Sequence, residues 1–161
     1  MNPIGRPPVP LPILILGKAA VFGCALFFPV RILDISPMLY DSPSTTAFGM
    51  ILYAVGLVLL CVAMVSLGRS LSVGLPDEQT ELKTGGVYRL SRNPIYVAAY
   101  LICIGSCFIS IHPLNILLLV ITVAVHHRII LKEEEFLEQR FGERWLEYKR
   151  HVFRYAGRVG G

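Results

Sequence analysis

Between Ser42 and Gly68 the chain carries no Lys, Arg, Asp or Glu, and Thr46 to Leu67 forms an uncharged run of 22 residues. At about 1.5 Å of rise per residue, a helix of that length crosses a hydrocarbon core roughly 30 Å thick. A helix satisfies its own backbone hydrogen bonds, so it is the form such a segment takes in lipid. Composition points the same way. Hydrophobic residues make up 54% of the 161 and charged residues 16%, with a mean hydropathy of +0.61, whereas a soluble domain carries roughly a quarter charged residues.

Three further apolar segments accompany the first. One runs from Leu11 to Val30 and is interrupted only by Lys18; another spans Ile95 to Ile111; the last begins at Leu114 and reaches Ile130 with a polar end at His126, His127 and Arg128. Only His112 and Pro113 separate the final two, which reads as a tight helical hairpin. The expected fold is all-α: a polytopic membrane protein with about four transmembrane helices and a C-terminal amphipathic helix. Residues 1–67 would hold the first two spans, and residues 68–161 the hairpin with the polar segments that flank it.

Basic residues set the expected orientation. With a cytoplasmic N-terminus, that face receives Arg6, Arg69, Lys83, Arg89, Arg92 and eight Lys or Arg from Arg128 onward, against Arg31 alone on the far side. The bias predicts that both termini are cytoplasmic. Prolines interrupt the start of the chain, and no small-residue cleavage site follows the first apolar run, so a cleaved signal is not expected.

Several chemistries find no support in the residues. Cys24, Cys61, Cys103 and Cys107 all fall in the spans, which suggests packing and neither a disulfide framework nor a zinc site. His126 and His127 are adjacent and point in different directions on a helix, so no metal ligand set is expected from them. Lys18 reads as a snorkelling side chain or a buried polar contact. Nucleotide-binding glycine motifs are absent from the sequence, and no nucleic-acid partner is expected.

The polar material lies in two segments at one membrane face. The first, LSVGLPDEQTELKTGGVYRLSRNPIY, is a glycine- and proline-punctuated loop that turns into a helix, with Asn93 as N-cap and Pro94 as first helical residue. Capping explains that much alone; the free NH groups and dipole of such a start also suit an anionic ligand group, and tyrosine rings a cationic one. The second, HHRIILKEEEFLEQRFGERWLEYKRHVFRY, spaces apolar residues among charges as an amphipathic helix bent near Gly142. Glu133, Glu134 and Glu135 are either a solvated acidic run or a place where a carboxylate accepts hydrogen bonds from a ribose diol.

TGGVYRLSRNPIYVAAY, followed some 35 residues later by EEEFLEQRFGERWLEYKRHV, resembles the isoprenylcysteine carboxyl methyltransferase family and its bacterial relatives, themselves similar to membrane phospholipid methyltransferases. The resemblance covers roughly residues 66 to 155. It implies S-adenosyl-L-methionine as cofactor, held at the cytoplasmic face of a bacterial inner membrane, and a lipophilic small-molecule or lipid-modified acceptor approached through the membrane lipids. It further implies that Tyr88, Asn93, Pro94, Ile95 and Tyr96 line the cofactor site, that Gln79, Thr80, Glu81, Leu82 and Lys83 close over it, that Glu133 and Glu134 take the ribose side, and that Arg128 faces the substrate.

Asn93 stands where the family usually has His, which removes a proton-transfer group but keeps a hydrogen-bonding one. A carboxylate acceptor is already ionised near neutral pH and needs no general base, so carboxyl methylation is the favoured reaction. A membrane reductase using NADPH, similar to sterol-reducing enzymes, and a non-catalytic membrane subunit are the alternatives.

Overall fold

The computed structural model of the chain describes residues 9–35, 39, 40, 42–67 and 82–158. Five α-helices organise them: α1 (Leu11–Ile32), α2 (Pro43–Leu67), α3 (Pro94–Ile109), α4 (Pro113–Phe141) and α5 (Glu143–His151), with a single 3₁₀ turn at Gly86–Arg89 before α3. Among the described residues, β-pairing is limited to two isolated bridges, Tyr40 with Ile111 and Val152 with Arg158.

The helices α1, α2 and α4 are long and apolar enough to cross a membrane. The third expected span is α3, but its 16 residues extend only about 24 Å, less than the others. The fourth differs in the opposite sense. No Gly or Pro interrupts the sequence between Pro113 and Gly142, so one helix of 29 residues runs through the polarity change at His126 and carries the glutamates on the same rod. Gly142, at φ +52°, then ends α4 and opens α5, which puts the bend where the sequence suggests it.

Glycines let the backbones approach. A Cβ built on Gly105 of α3 would stand 2.6 Å from Tyr53 N and 2.7 Å from Gly49 O of α2, so these two helices meet backbone to backbone. Gly17 of α1 meets Val125 and His126 of α4, and Gly23 meets Leu118, which sets α1 antiparallel to α4. Near the opposite end of the bundle, Ser106 donates to Cys24 O, and Asn115 donates through Nδ2 to Ser106 Oγ and Ser110 O at 3.2 Å each. His112 caps α4 by accepting from Leu114 N.

The amphipathic helix α5 turns its apolar side inward. Trp145, Tyr148 and Val152 form a buried cluster, joined by Leu82 from the loop before α3 and by Leu137 and Phe141 of α4. That cluster holds α5 beneath the entrance to α3 and positions the segment that follows it.

Candidate active site

The start of α3 and the end of α4 meet through their side chains. Tyr96 OH donates to Glu133 Oε1 at 2.8 Å, and Asn93 Nδ2 donates to Glu134 Oε1 at 3.0 Å. The hairpin is the reason. With α3 and α4 antiparallel, residues one turn apart at the head of α3 face residues near the foot of α4, and Tyr96 also lays its ring against His126 at 5.6 Å between centroids.

Asn93 occupies the N-cap position of α3 but makes no side-chain cap hydrogen bond. Its amide is used elsewhere, on Glu134 and on Arg154 O at 3.2 Å, while Ser91 Oγ accepts from Asn93 N. The expected cap thus becomes a tie between three segments. Pro94, by contrast, serves as a buried first helical residue.

Glu134 is the centre of this tie. It is only 4% exposed, and both of its oxygens are taken. Arg154 donates to Oε2 from Nε and Nη2 at 3.1 and 2.9 Å, and Arg92 Nη2 lies 3.4 Å from Oε1. Such a two-pronged guanidinium contact fixes geometry as well as charge. Its hydrogen bond to Glu134 raises the pKa of Arg154, while burial lowers that of Arg92 against the pull of Glu134.

The segment after α5 completes the enclosure. Phe153 O accepts from Arg92 N, Gly157 N donates to Leu90 O, and Ser91 Oγ donates to Arg154 O. Tyr148 of α5 donates to Tyr88 O. Tyr88 is buried, and its phenol is pushed up to about 12 by that burial, with the charge of Glu133 acting in the same direction. His127 turns away from His126 and contacts Tyr155 OH.

The structure therefore brings together Tyr88, Asn93, Pro94, Tyr96, Glu133 and Glu134, with Ile95 half-buried beside them. Leu82 and Lys83 are half-buried; Leu82 packs on the α5 cluster and, with Tyr148, Arg89 and Arg158, borders a cavity of about 530 Å³. A smaller cavity of about 320 Å³ lies against Glu134 and Arg154. Gln79, Thr80 and Glu81 fall outside the described residues. Arg128 is exposed; at about 100° per residue it projects about 120–140° around α4 from Glu133 and Glu134, and it is not drawn into the cluster.

Sequence reading misses Arg154, Tyr148 and Ser91. The contacts of Arg154 and Ser91 arise from the fold-back of the segment after α5, and that of Tyr148 with Tyr88 O from the docking of α5 itself. Arg92, next to Asn93, is visible in the motif, but its burial is not. Its side chain is 7% exposed, its Nε and Nη1 have no hydrogen-bond partner among the described residues, and its guanidinium sits 5.7 Å from the Trp145 ring centroid.

The sequence profile of the phospholipid methyltransferase family matches residues 44–144. Among curated proteins, the chain is similar to protein-S-isoprenylcysteine O-methyltransferase A of Arabidopsis thaliana, 32% identical over 109 residues, which is 65% of this chain and 55% of that protein. It is also similar to the protein-S-isoprenylcysteine O-methyltransferase of Rattus norvegicus, 32% identical over 111 residues, covering 66% of this chain and 39% of that protein. The aligned region thus spans little more than half of the plant relative and less of the mammalian one. With the profile covering well over half of the sequence, the chain belongs to the phospholipid methyltransferase family.

Proposed function

We propose that the protein is an integral-membrane methyltransferase that uses S-adenosylmethionine to methylate the carboxylate of a lipophilic acceptor, an S-prenylated cysteine being the nearest chemistry named among its relatives. The observation that carries this reading is the meeting of the two motif segments through the Tyr96–Glu133 and Asn93–Glu134 hydrogen bonds. Residues 68–161 make up the catalytic region in this reading, and both termini lie in the cytoplasm.

The residues present fit such a cofactor. Arg92 offers buried donors without partners, suited to the carboxylate of an amino acid. Glu133 keeps Oε2 free of hydrogen bonds among the described residues, and that oxygen suits a ribose diol. Tyr88, Pro94, Ile95 and Tyr96 supply the walls, with Leu82 and Lys83 at the rim. Glu134 is the positioning residue that fixes Asn93, Arg92 and Arg154 around the site.

When bound, S-adenosylmethionine supplies an electrophilic methyl group whose departure leaves a neutral thioether. The chain itself contributes alignment. Asn93 has no basic nitrogen, and an ionised carboxylate acceptor requires none. The buried cluster excludes water and holds its polar groups fixed, so the rate gain comes from placing the acceptor oxygen in line. Arg128, exposed at the headgroup end of α4, is left to interfacial contacts.

Purified protein in detergent tests the reading. S-adenosylhomocysteine should raise the melting temperature and NADPH should not. Labelled S-adenosylmethionine should pass its methyl group to N-acetyl-S-farnesylcysteine as a base-labile ester. Stabilisation by NADPH alone would point to the reductase alternative, and label recovered only as base-stable product would exclude the carboxylate.

A further inference from the structure

The cavity of about 530 Å³ beside α5 is lined by Arg89, Arg144 and Arg158, with Glu147 and His151, and by none of Arg92, Asn93, Glu133 and Glu134. Its guanidiniums come from three segments. Arg89 ends the 3₁₀ turn before α3, Arg144 stands in the first turn of α5, and Arg158 follows the reversal after that helix. Arg144, Glu147 and His151 share one side of α5, because residues three and seven positions on return to the same face.

Backbone contacts hold the three segments together. Tyr88 O accepts from Tyr148 OH, and Leu90 O accepts from Gly157 N at 2.8 Å, so the neighbours of Arg89 on either side are tied, one to α5 and one to the residue before Arg158. Val152 pairs with Arg158 in an isolated bridge. The convergence of charge is therefore fixed by the fold.

Other basic side chains nearby have carboxylate partners: Lys132 with Glu135, Lys149 with Glu138 and Arg150 with Glu143. The cavity differs. Among the described residues, no hydrogen bond and no ion pair within 4.0 Å engages the side chain of Arg89, Arg144 or Arg158, and Glu147 pairs with none of them. Three guanidiniums against one carboxylate leave a net charge of +2 around the cavity when His151 is neutral. A phosphate monoester, carrying about −1.5 to −2 near pH 7, matches that balance, and forked guanidinium donors suit its oxygens.

The surroundings indicate where such a phosphate comes from. Leu90 and Phe153, next to Arg89 and Val152, are 64% and 53% exposed although both lie outside the apolar spans. Four residues after Leu90, Pro94 opens α3. Exposed apolar side chains bordering a basic hollow at the end of a span suit the headgroup level of a bilayer.

We propose that this cavity binds the phosphate monoester headgroup of an anionic membrane lipid, gripped by Arg89, Arg144 and Arg158 while Leu90 and Phe153 meet the acyl boundary. The site stands apart from the methyl-transfer reading. It holds whether or not the chain methylates a carboxylate.

Calorimetric titration of the full chain in non-ionic detergent tests it, with a short-chain phosphatidic acid, the matching phosphatidylcholine and inorganic phosphate as probes. Wild type should bind the phosphatidic acid, more tightly than inorganic phosphate, and should not bind the phosphatidylcholine. Arg144→Gln and Arg158→Gln should each weaken binding of the phosphatidic acid about tenfold, the range of one charge-assisted hydrogen bond, with melting temperatures unchanged because neither side chain holds a partner in the fold. Arg150→Gln removes the same charge from α5 outside the cavity and should bind as wild type does. No binding of the phosphatidic acid, or an equal loss in Arg150→Gln, would overturn the site. Inorganic phosphate binding as tightly as the lipid would overturn the headgroup assignment in favour of a soluble phosphate.

Discussion

Asn93 and Glu134 stand 41 positions apart in sequence and 3.0 Å apart in space, with the amide Nδ2 donating to the carboxylate Oε1. The contact joins the head of α3 to the foot of α4, and Arg154 O accepts from the same amide. A residue that could have capped its own helix is used to bind three segments together.

Replacing Glu134 by Gln should therefore act first on stability. The neutral amide keeps the shape but leaves the buried Arg92 guanidinium without its counter-charge, while Arg154 is partly solvated. We expect a loss of about 2–3 kcal/mol, below the full cost of orphaning a wholly buried charge. Melting in detergent without ligand reads it. A variant as stable as wild type would mean that the cluster does not hold the fold.

Asn93→His should be well tolerated, because a ring N–H can replace the amide donor toward Glu134. Asn93→Leu has similar bulk and no donor. It leaves Glu134 Oε1 and Arg154 O short of a partner, at a cost of about 1–3 kcal/mol. The same melting experiment ranks the two, and equal stability would deny the amide its bridging role.

For Tyr96→Phe the expected loss lies in binding. The ring still packs on His126, but Glu133 is no longer held in place. Affinity for S-adenosylhomocysteine should fall about fivefold, corresponding to about 1 kcal/mol for one hydrogen bond, with the yield of folded protein preserved. Titration calorimetry showing wild-type affinity would reduce the bond to a packing detail.

Much of this architecture can be read directly from the residues. The apolar run Thr46 to Leu67 is α2 less its first turn, and Leu11 to Val30 is α1 less its last two residues. The Glu pair and the RNPIY segment meet as their spacing suggests. Polarity, however, is a poor marker of where α4 stops: the side chains change character at His126, but the backbone has no reason to break before Gly142. Arg128 shows a related limit. It is close to the glutamates in sequence, but direction around a helix, not proximity along it, decides which side chains meet. The Arg154 contact depends on a chain reversal after α5 that no local signal announces.

Gly105→Ala should destabilise the bundle. The added methyl meets backbone atoms of Gly49 and Tyr53 that cannot rotate away, so α2 and α3 must separate, at about 1–3 kcal/mol. Gly85→Ala, where a Cβ meets nothing within 4 Å, is the matched control. Similar melting temperatures for the two variants would contradict the close approach.

Topology is checked with reporters. A fusion after Gly161 should be active only in the cytoplasm, as should one at Met1, given thirteen basic residues on that face against Arg31 on the other. Opposite behaviour of the two fusions would imply an odd number of crossings and would move α3 out of the membrane.

The unbroken length of α4 sets the height of the chemistry. Twenty-nine residues measure about 43 Å, more than the hydrocarbon they traverse, and no joint separates the lipid-facing turns from Glu133 and Glu134. The carboxylates are thus mounted near one end of an unbroken mast whose other end starts at Pro113. A thinner or thicker bilayer lifts, sinks or tilts that mast, carrying Glu133 and Glu134 relative to the lipid-embedded acceptor of the proposed function. On the proposed function, membrane thickness becomes a setting on activity, acting without any ligand and through no loop.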